Sequence, residues 1–309
     1  MDLLVIMDGP ETVDPATDTS FALIQAATAL GHRVFHCGAT DVSLEDGRVH
    51  ARAHRATPDP ALAPALVLHE RERLDLGALD AVLIRPDPPF DGAYLHLTLL
   101  LDFVSDETLI VNAPRALRDA NEKLYACRFP ELMPPTIVTS AIDALEEFVA
   151  AHGAIVLKPI DGHGGRGVTL VRRDGDRDAL HALTANGDRV VMAQRYLPGV
   201  LDGDKRILLL DGEPLGAILR IPAPGDFRAN IAVGGRTSRT TIDDADQRII
   251  DRIAPSLRAD GLVFVGIDVI EGHLSEVNVT SPTGIVQMAE LDGTRPSERV
   301  IEWIERELA

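Results

Sequence analysis

The chain has 309 residues, 45% of them hydrophobic, which is enough for about two domains with a sizeable core. Its formal charge of −18 disfavours a nucleic-acid partner, and its apolar runs fall far short of the ~18 residues of a bilayer span, so no membrane segment is expected. Cys37 and Cys127 show neither metal-ligand spacing nor a disulfide framework, and the short apolar run between Asp2 and Asp8 is unlike a secretory signal, so a cytoplasmic protein is expected.

Leu3 to Met7 reads as a buried strand, and Ser20 or Thr19 is placed to cap a helix that runs to Leu30 and ends at Gly31. Val34 to Cys37 reads as the next strand, giving a β-α-β start. Asp46-Gly47 suggests a hairpin turn, and Ala81 to Arg85 is a strand running into the proline-rich loop Pro86 to Phe90. Prolines there are either plain punctuation or a rigid loop at the strand end where open α/β sheets bind ligands. After a strand at Thr108 to Val111, Pro114 opens a helix expected to reach Arg128, and the domain boundary falls near residue 120. Ser140 caps a helix ended by Gly153. The pattern then becomes strand-rich, with Ala154 to Ile160, Val168 to Arg173, Arg189 to Leu197, Ile207 to Leu210 and Leu215 to Ile221. Helix returns at Asp243 to Arg258, followed by a hairpin from Val263 to Val279 and a last helix ending near Leu308. There is no internal repeat and no low-complexity tract.

Three constellations carry chemistry. The run Ile155 to Pro159 leads into Gly162, Gly164, Gly165 and Gly167, where backbone amides can approach a ligand closely and cradle phosphate oxygens. It fits neither the Walker nor the dinucleotide pattern and precedes a strand, so a helix dipole is not the device; a ligand-free glycine hairpin is the other reading. Next, Glu276 and Asn278 are two apart on a strand and share one face, and a turn around Gly272 brings Asp268 opposite Glu276. Facing carboxylates repel unless a cation such as Mg²⁺ sits between them; otherwise the face is simply solvated. Last, Lys205, Arg206, Arg220, Arg228, Arg236 and Arg239 gather around Gly225, Gly234 and Gly235, either an exposed charged loop or a lid whose guanidiniums suit carboxylates and phosphoryl groups. Of 30 basic residues only Lys123, Lys158 and Lys205 are lysines, a compact point charge suited to phosphate.

In order along the chain, Asp119 to Lys123, Leu157 to Gly162, Met192 to Pro198 and Glu276 to Thr283 resemble the ATP-grasp signature of the prokaryotic glutathione synthetases. Asp18 to Ala22 and Arg85 to Asp91 are similar to that family's substrate-domain motifs. The Asp-Pro-Pro-Phe-Asp and Asn-Val-Thr-Ser-Pro-Thr stretches are the narrow part of the match, which covers nearly the whole chain. The resemblance implies a doubly wound α/β pre-ATP-grasp domain, residues 1–120, followed by an ATP-grasp α+β fold, residues 121–309, whose subdomains 121–197 and 198–309 clasp ATP.

It further implies that Lys123, Lys158, Lys205, Gly162, Gly164 and Gly165 contact the nucleotide, with Gln194, Arg195, Tyr196 and Leu197 in the adenine hinge. Asp268, Glu276 and Asn278 would hold Mg²⁺ or Mn²⁺, and Arg206 and Arg220 would act at the reacting carboxylate. Ser20, Arg85, Asp87, Arg228, Ser281, Pro282 and Thr283 would face the peptide. The implied reaction is an ATP-dependent ligation of γ-glutamylcysteine with glycine through an acylphosphate, by a homo-oligomer, dimer or tetramer. Pro86, where the family commonly has lysine, and Ala223-Pro224-Gly225, where it often has paired glycines, depart from the pattern. The alternatives are another ATP-grasp ligase with a different acceptor acid and a non-catalytic ATP-binding regulatory protein; a Rossmann dehydrogenase fails on the misplaced glycines.

Overall fold

The structure is a computed structural model that describes residues 1–104, 108–173, 175 and 177–309. It begins with β1 (Asp2–Ile6), α1 (Thr19–Ala29) and β2 (Arg33–Cys37), with β1 and β2 parallel and Leu3 opposite Val34. Leu3, Leu4, Val5 and Ile6 are all fully buried, which is why β1 reads as a continuous apolar run and not an alternation. The cap of α1 is Asp18, not Ser20 or Thr19: its carboxylate accepts from the Phe21 N–H at 2.8 Å, favoured by the positive end of the helix. Thr19 and Ser20 lie inside the first turn, buried.

β3 (Val42–Glu45) turns through Asp46 and Gly47, with φ of 50° and 80°, into β4 (Arg48–Pro58), so the expected hairpin forms. β5 (Leu66–Asp75) pairs antiparallel with β4. β6 (Ala81–Ile84), α2 (Gly92–Leu101) and β7 (Leu109–Val111) complete a sheet ordered β3-β4-β2-β1-β6-β7, with β5 beside β4. The loop from Arg85 to Asp91 leaves the carboxyl end of central strand β6, the edge at which such sheets receive ligands.

The helix expected from Pro114 to Arg128 is divided. α3 (Pro114–Asp119) stops, and only a 3₁₀ turn, Tyr125–Arg128, follows. Asn121 causes the break: its Oδ1 accepts from the Lys123 and Leu124 N–H groups at 3.1 and 3.0 Å, replacing helical partners, and its Nδ2 donates to the Ile160 carbonyl at 3.1 Å. That interruption turns Lys123 toward the glycine loop.

β8 (Thr136–Thr139), α4 (Ile142–His152), β9 (Ala154–Pro159), β10 (Thr169–Arg172), α5 (Asp178–Leu183) and β11 (Val191–Arg195) build a second sheet, ordered β10-β9-β11-β8 and antiparallel throughout. Ser140 does not cap α4. Ala141 holds that position, and Thr139 Oγ1 accepts the Ala141 N–H at 3.0 Å; Gly153, at φ +76°, ends the helix as expected. Leu145, Ile155, Leu157 and Val191 fill the layer between.

A third sheet, ordered β14-β13-β12-β15-β16, contains β12 (Asp204–Leu210), β13 (Glu213–Ile221), β14 (Arg236–Arg239), β15 (Phe264–Ile270) and β16 (His273–Asn278). α6 (Asp244–Asp260) covers one face; α7 (Ile285–Asp292) and α8 (Pro296–Glu307) follow. α8 runs back against α1, and Trp303 and Ile304 join a core that also holds Leu3 and Val5. Ile207, Ile267 and Val277 extend the other main core, so the first and third sheets share apolar interior. Each such side chain contributes about 1.5–3 kcal/mol on burial. Among the described residues no helix is long and apolar enough to cross a membrane.

Candidate nucleotide and acceptor site

The loop between β9 and β10 holds Gly164, Gly165 and Gly167 at φ of 60°, 77° and 72°, a region that side chains other than glycine's strain to enter. A Cβ on Gly165 would stand 2.6 Å from Asn230 Oδ1, so the loop also needs a bare backbone where it meets the segment after β13. A strand, not a helix, follows the loop, so no helix dipole points into it. Lys123 Nζ donates to the Gly162 carbonyl, and Lys158 Nζ donates to Ser275 Oγ at 2.8 Å while facing Glu276 Oε1 at 3.5 Å. Both lysines are buried, which makes each ammonium a point charge little screened by water.

Gln194, Arg195, Tyr196 and Leu197 leave the end of β11 and form one wall of a cleft of about 800 Å³. Val156, Val168, Val200 and Ile270 give it an apolar floor, as a flat aromatic base requires. Lys123, Lys158 and Gly162 to Arg166 line its other end. The residues expected to contact the nucleotide therefore lie in one place, with Lys205 as the exception. Neighbours on a strand point to opposite faces, and Lys205 turns away from Asp204 and Arg206 to bond the Thr241 carbonyl and Asp243 at 3.1 Å each, and Asp246. It braces the N-terminus of α6 and lines neither cleft.

Asp268 on β15 is paired directly with Glu276 on β16, and Asn278 shares their face. Arg206 Nε and Nη2 grip Asp268 at 2.5 and 3.0 Å, and Arg220 Nη2 lies 3.0 Å from Asp268 Oδ2 and 2.5 Å from Asp204 Oδ2. Burial opposes ionisation of Asp268, but the two guanidiniums outweigh it and hold the carboxyl well below the usual carboxylate range. Among the described residues the Asp204 side chain bonds Arg220 alone; burial, with the negative Asp268 nearby, pushes its pKa up to about 6. The same two carboxylates hold the buried Arg220 firmly charged against desolvation.

Asp268, Glu276 and Asn278 present two carboxylates and an amide. Asn278 Nδ2 is turned toward the Gly266 carbonyl at 3.2 Å and Asp268 Oδ2 at 3.3 Å, which leaves its Oδ1 as an acceptor. Among the described residues no cluster of three or more His, Cys, Asp or Glu side chains is placed to hold a metal. An all-oxygen set with no more than two carboxylates suits Mg²⁺, which keeps positions for phosphate oxygens.

A second cleft, of about 1290 Å³, adjoins the first and is lined by Asp87, Arg206, Arg220, Ser281, Pro282 and Thr283. His163, Gly164, Arg166, Asn230 and Glu276 line both, so Glu276 stands at their junction. Burial, together with Asp8, raises the Asp87 carboxyl above its ordinary value. Ser20 and Arg85 line neither cleft. Arg85 Nε donates to Ser20 Oγ at 3.0 Å and its Nη2 to the Pro282 carbonyl at 3.1 Å, while Ser281 Oγ donates to the Arg85 carbonyl at 3.3 Å. They fasten the first sheet to the Ser281–Thr283 loop from behind. Arg228 is paired with Asp226 at 2.7 Å and lines the first cleft, not the second.

Glu122, His163, Arg166, Asp204 and Asn230 were not singled out in the sequence, yet all line these clefts. Four adjoin recognised features: Glu122 precedes Lys123, Asp204 precedes Lys205, and His163 and Arg166 sit within the glycine run. Asn230 carried no signal, since only folding sets it against Gly165.

The chain matches the prokaryotic glutathione synthetase N-terminal domain over residues 1–118 and the prokaryotic glutathione synthetase ATP-grasp domain over residues 122–293. It is 43% identical over 321 residues to the glutathione synthetase of Nostoc sp., covering 100% of this chain and 99% of that protein. To that of Pseudomonas syringae pv. tomato it is 42% identical over 312 residues, covering 98% and 97%. Among solved structures, D-cycloserine synthetase DcsG matches with a TM-score of 0.67 at 19% identity over 100% of both chains. The ATP-grasp ligase PsnB, complexed with a minimal precursor, Mg and ADP, matches with a TM-score of 0.65 at 16% identity over 99% and 98%. At such identities these structures speak for the fold.

Proposed function

We propose that this chain, which belongs to the prokaryotic glutathione synthetase family, joins the amine of glycine to the cysteinyl carboxyl of γ-glutamylcysteine, converting ATP to ADP and phosphate. The chain is an ATP-dependent carboxylate–amine ligase. The observation that carries the site assignment is the position of Glu276, on the junction between a cleft walled by buried lysines and a cleft walled by buried arginines. A phosphoryl group must cross such a junction.

ATP enters the first cleft, its base along Gln194 to Leu197 and its phosphates between Lys123, Lys158 and the amides of Gly162 to Gly165. A divalent cation, Mg²⁺ or Mn²⁺, held by Asp268, Glu276 and Asn278, supplies positive charge against the phosphate oxygens. Arg206 and Arg220 orient the acceptor carboxylate, while Asp87 and Ser281 to Thr283 face the peptide. The carboxylate oxygen bonds to the γ-phosphorus as the bond to ADP breaks, giving an acylphosphate. Glycine's nitrogen then attacks the acyl carbon, the C–O bond to phosphate breaks, and the amine's proton leaves on the departing phosphate. The protein's part is alignment, charge stabilisation and exclusion of water that would hydrolyse the acylphosphate. Phe227 to Asn230, lying across the first cleft against the glycine loop, serve that exclusion.

ADP release by the purified protein, with γ-glutamylcysteine and glycine omitted in turn, tests this reading. Release that requires both supports it; release that ignores γ-glutamylcysteine but responds to another acid makes the chain a ligase of different acceptor. The free thiols Cys37 and Cys127 support a reducing cytoplasm, and the family resemblance supports a homo-oligomer, which sedimentation would read directly.

A further inference from the structure

Asp204 and Arg220 are directly opposed across the β12–β13 ladder. Asp204 lines the nucleotide cleft and not the acceptor cleft, and Arg220 the reverse. The pair therefore spans the partition between the two. Both side chains are buried, at 8% and 4% exposure for the residues, so their geometry is set by protein groups and not by water.

The contacts within the pair are incomplete. Asp204 Oδ2 accepts from Arg220 Nη2 at 2.5 Å, while Asp204 Oδ1 and Arg220 Nε are both buried with no hydrogen-bond partner among the described residues. A buried polar atom left unmatched destabilises the fold, so a ligand that supplies the missing partner recovers that free energy. Arg220 also has a competing carboxylate, Asp268, 3.0 Å from the same Nη2. Asp204 thus decides how far the guanidinium leans toward the metal-facing ladder and how far toward the acceptor cleft.

We infer that Asp204 is a positioning residue that acts through Arg220 to couple the two clefts. A donor arriving with the nucleotide satisfies Asp204 Oδ1 and fixes the carboxylate, which fixes the Arg220 guanidinium in the orientation that receives the acceptor carboxylate. The inference rests on the assignment of the two clefts to nucleotide and peptide. Coupling of this kind is reciprocal, so the peptide raises nucleotide affinity by the same factor.

Calorimetric titration of γ-glutamylcysteine into the full-length protein, with and without AMPPNP and MgCl₂, measures the coupling factor. The wild-type protein is expected to bind the peptide at least ~5-fold more tightly with nucleotide present, the low end of usual coupling. Asp204→Asn keeps the shape but places an amide where a carboxylate stood, and its coupling factor is expected to fall to about 1–2. A merely structural role would lower the melting temperature and leave that factor alone. Should Asp204→Asn not fold, Arg220→Lys, which keeps the charge and loses the fork, is expected to abolish coupling in the same way. Wild-type coupling retained in either folded variant overturns the inference, as does a wild-type protein with no coupling. A wild-type protein that neither binds γ-glutamylcysteine nor releases ADP in its presence overturns the proposed function as well, and is recognised before any variant is made.

Discussion

Asp268 and Glu276 face each other directly across the β15–β16 ladder, two carboxylates in the position where like charges repel. The protein meets this with cations on either side: Arg206 and Arg220 on Asp268, and Lys158 at 3.5 Å from Glu276. Glu276 is the less engaged of the two, its nearest cation being Lys158 at 3.5 Å, and the proposed function assigns it a divalent ion. Glu276→Ala is expected to reduce ligation by at least about 10²-fold, the scale set by loss of one preorganised charge contact at a transition state. The melting temperature should change little, because the change removes both a repulsive neighbour of Asp268 and the counter-charge of buried Lys158, which keeps its bond to Ser275. ADP release and a thermal melt on the same sample check both halves; near-normal turnover would remove Glu276 from the metal set.

Gly165 meets two constraints at once, φ of +77° and a neighbour, Asn230 Oδ1, that would lie 2.6 Å from a new Cβ. Gly165→Ala is expected to cost about 1–2 kcal/mol through the left-handed backbone alone, with the clash added. The KM for ATP should rise more than that for γ-glutamylcysteine. Adding Asn230→Ala should relieve the steric part and leave the backbone part, so the double variant should be more stable than the sum of the two singles. Strict additivity in urea unfolding would show that the contact does not matter.

Lys205 bonds Asp243 and Asp246 at the capping box of α6, and Asp246 is only 1% exposed. Removing the ammonium leaves a buried carboxylate with fewer partners, a loss of about 1–3 kcal/mol. Lys205→Ala should lower the urea midpoint while the KM for ATP stays within about 2-fold, less than the ~0.5 kcal/mol scatter of a neutral surface change. A large rise in KM at unchanged stability would place Lys205 on the nucleotide after all.

His36 is buried on β2, its Nε2 3.0 Å from the Asp8 carbonyl and its Nδ1 without a partner among the described residues. Burial lowers its pKa below the ordinary 6.5, and the bond to Asp8 offsets this only in part. As pH falls through 6.5 the unfolded chain gains a proton at this residue that the folded chain does not, so folding stability declines toward acid. His36→Gln is expected to flatten the difference in urea midpoint between pH 7.5 and pH 5.5 relative to wild type, values chosen to bracket the ordinary pKa by about one unit. A difference as steep as in wild type would assign the acid sensitivity elsewhere.

Features legible from residues alone are those whose cause is local. Alternation along a strand put Glu276 and Asn278 on one face, and Asp46-Gly47 announced its hairpin through its backbone preference. The same alternation placed Lys205 opposite Asp204 and Arg206, so that signal was present although the cluster of positive charges obscured it. Strand edges shifted by one to three residues because terminal residues answer to their partners as much as to their own pattern.

Other features arose from contacts between residues far apart in the chain. Asn121 ended a helix that the surrounding residues favour: its Oδ1 takes the Lys123 and Leu124 N–H groups, and its Nδ2 is anchored to Ile160, 39 positions away. Arg85 and Ser20, 65 apart, became an internal fastening beneath the Ser281–Thr283 loop, since a buried guanidinium takes whatever acceptors the packed interior offers. The chain order of chemical groups thus identified the lysines, the glycine loop and the oxygen donors by short-range stereochemistry. Which side of the partition each group occupies, and that Glu276 stands on it, was settled by the packing of three sheets, because burial and charge compensation depend on neighbours that no local pattern specifies.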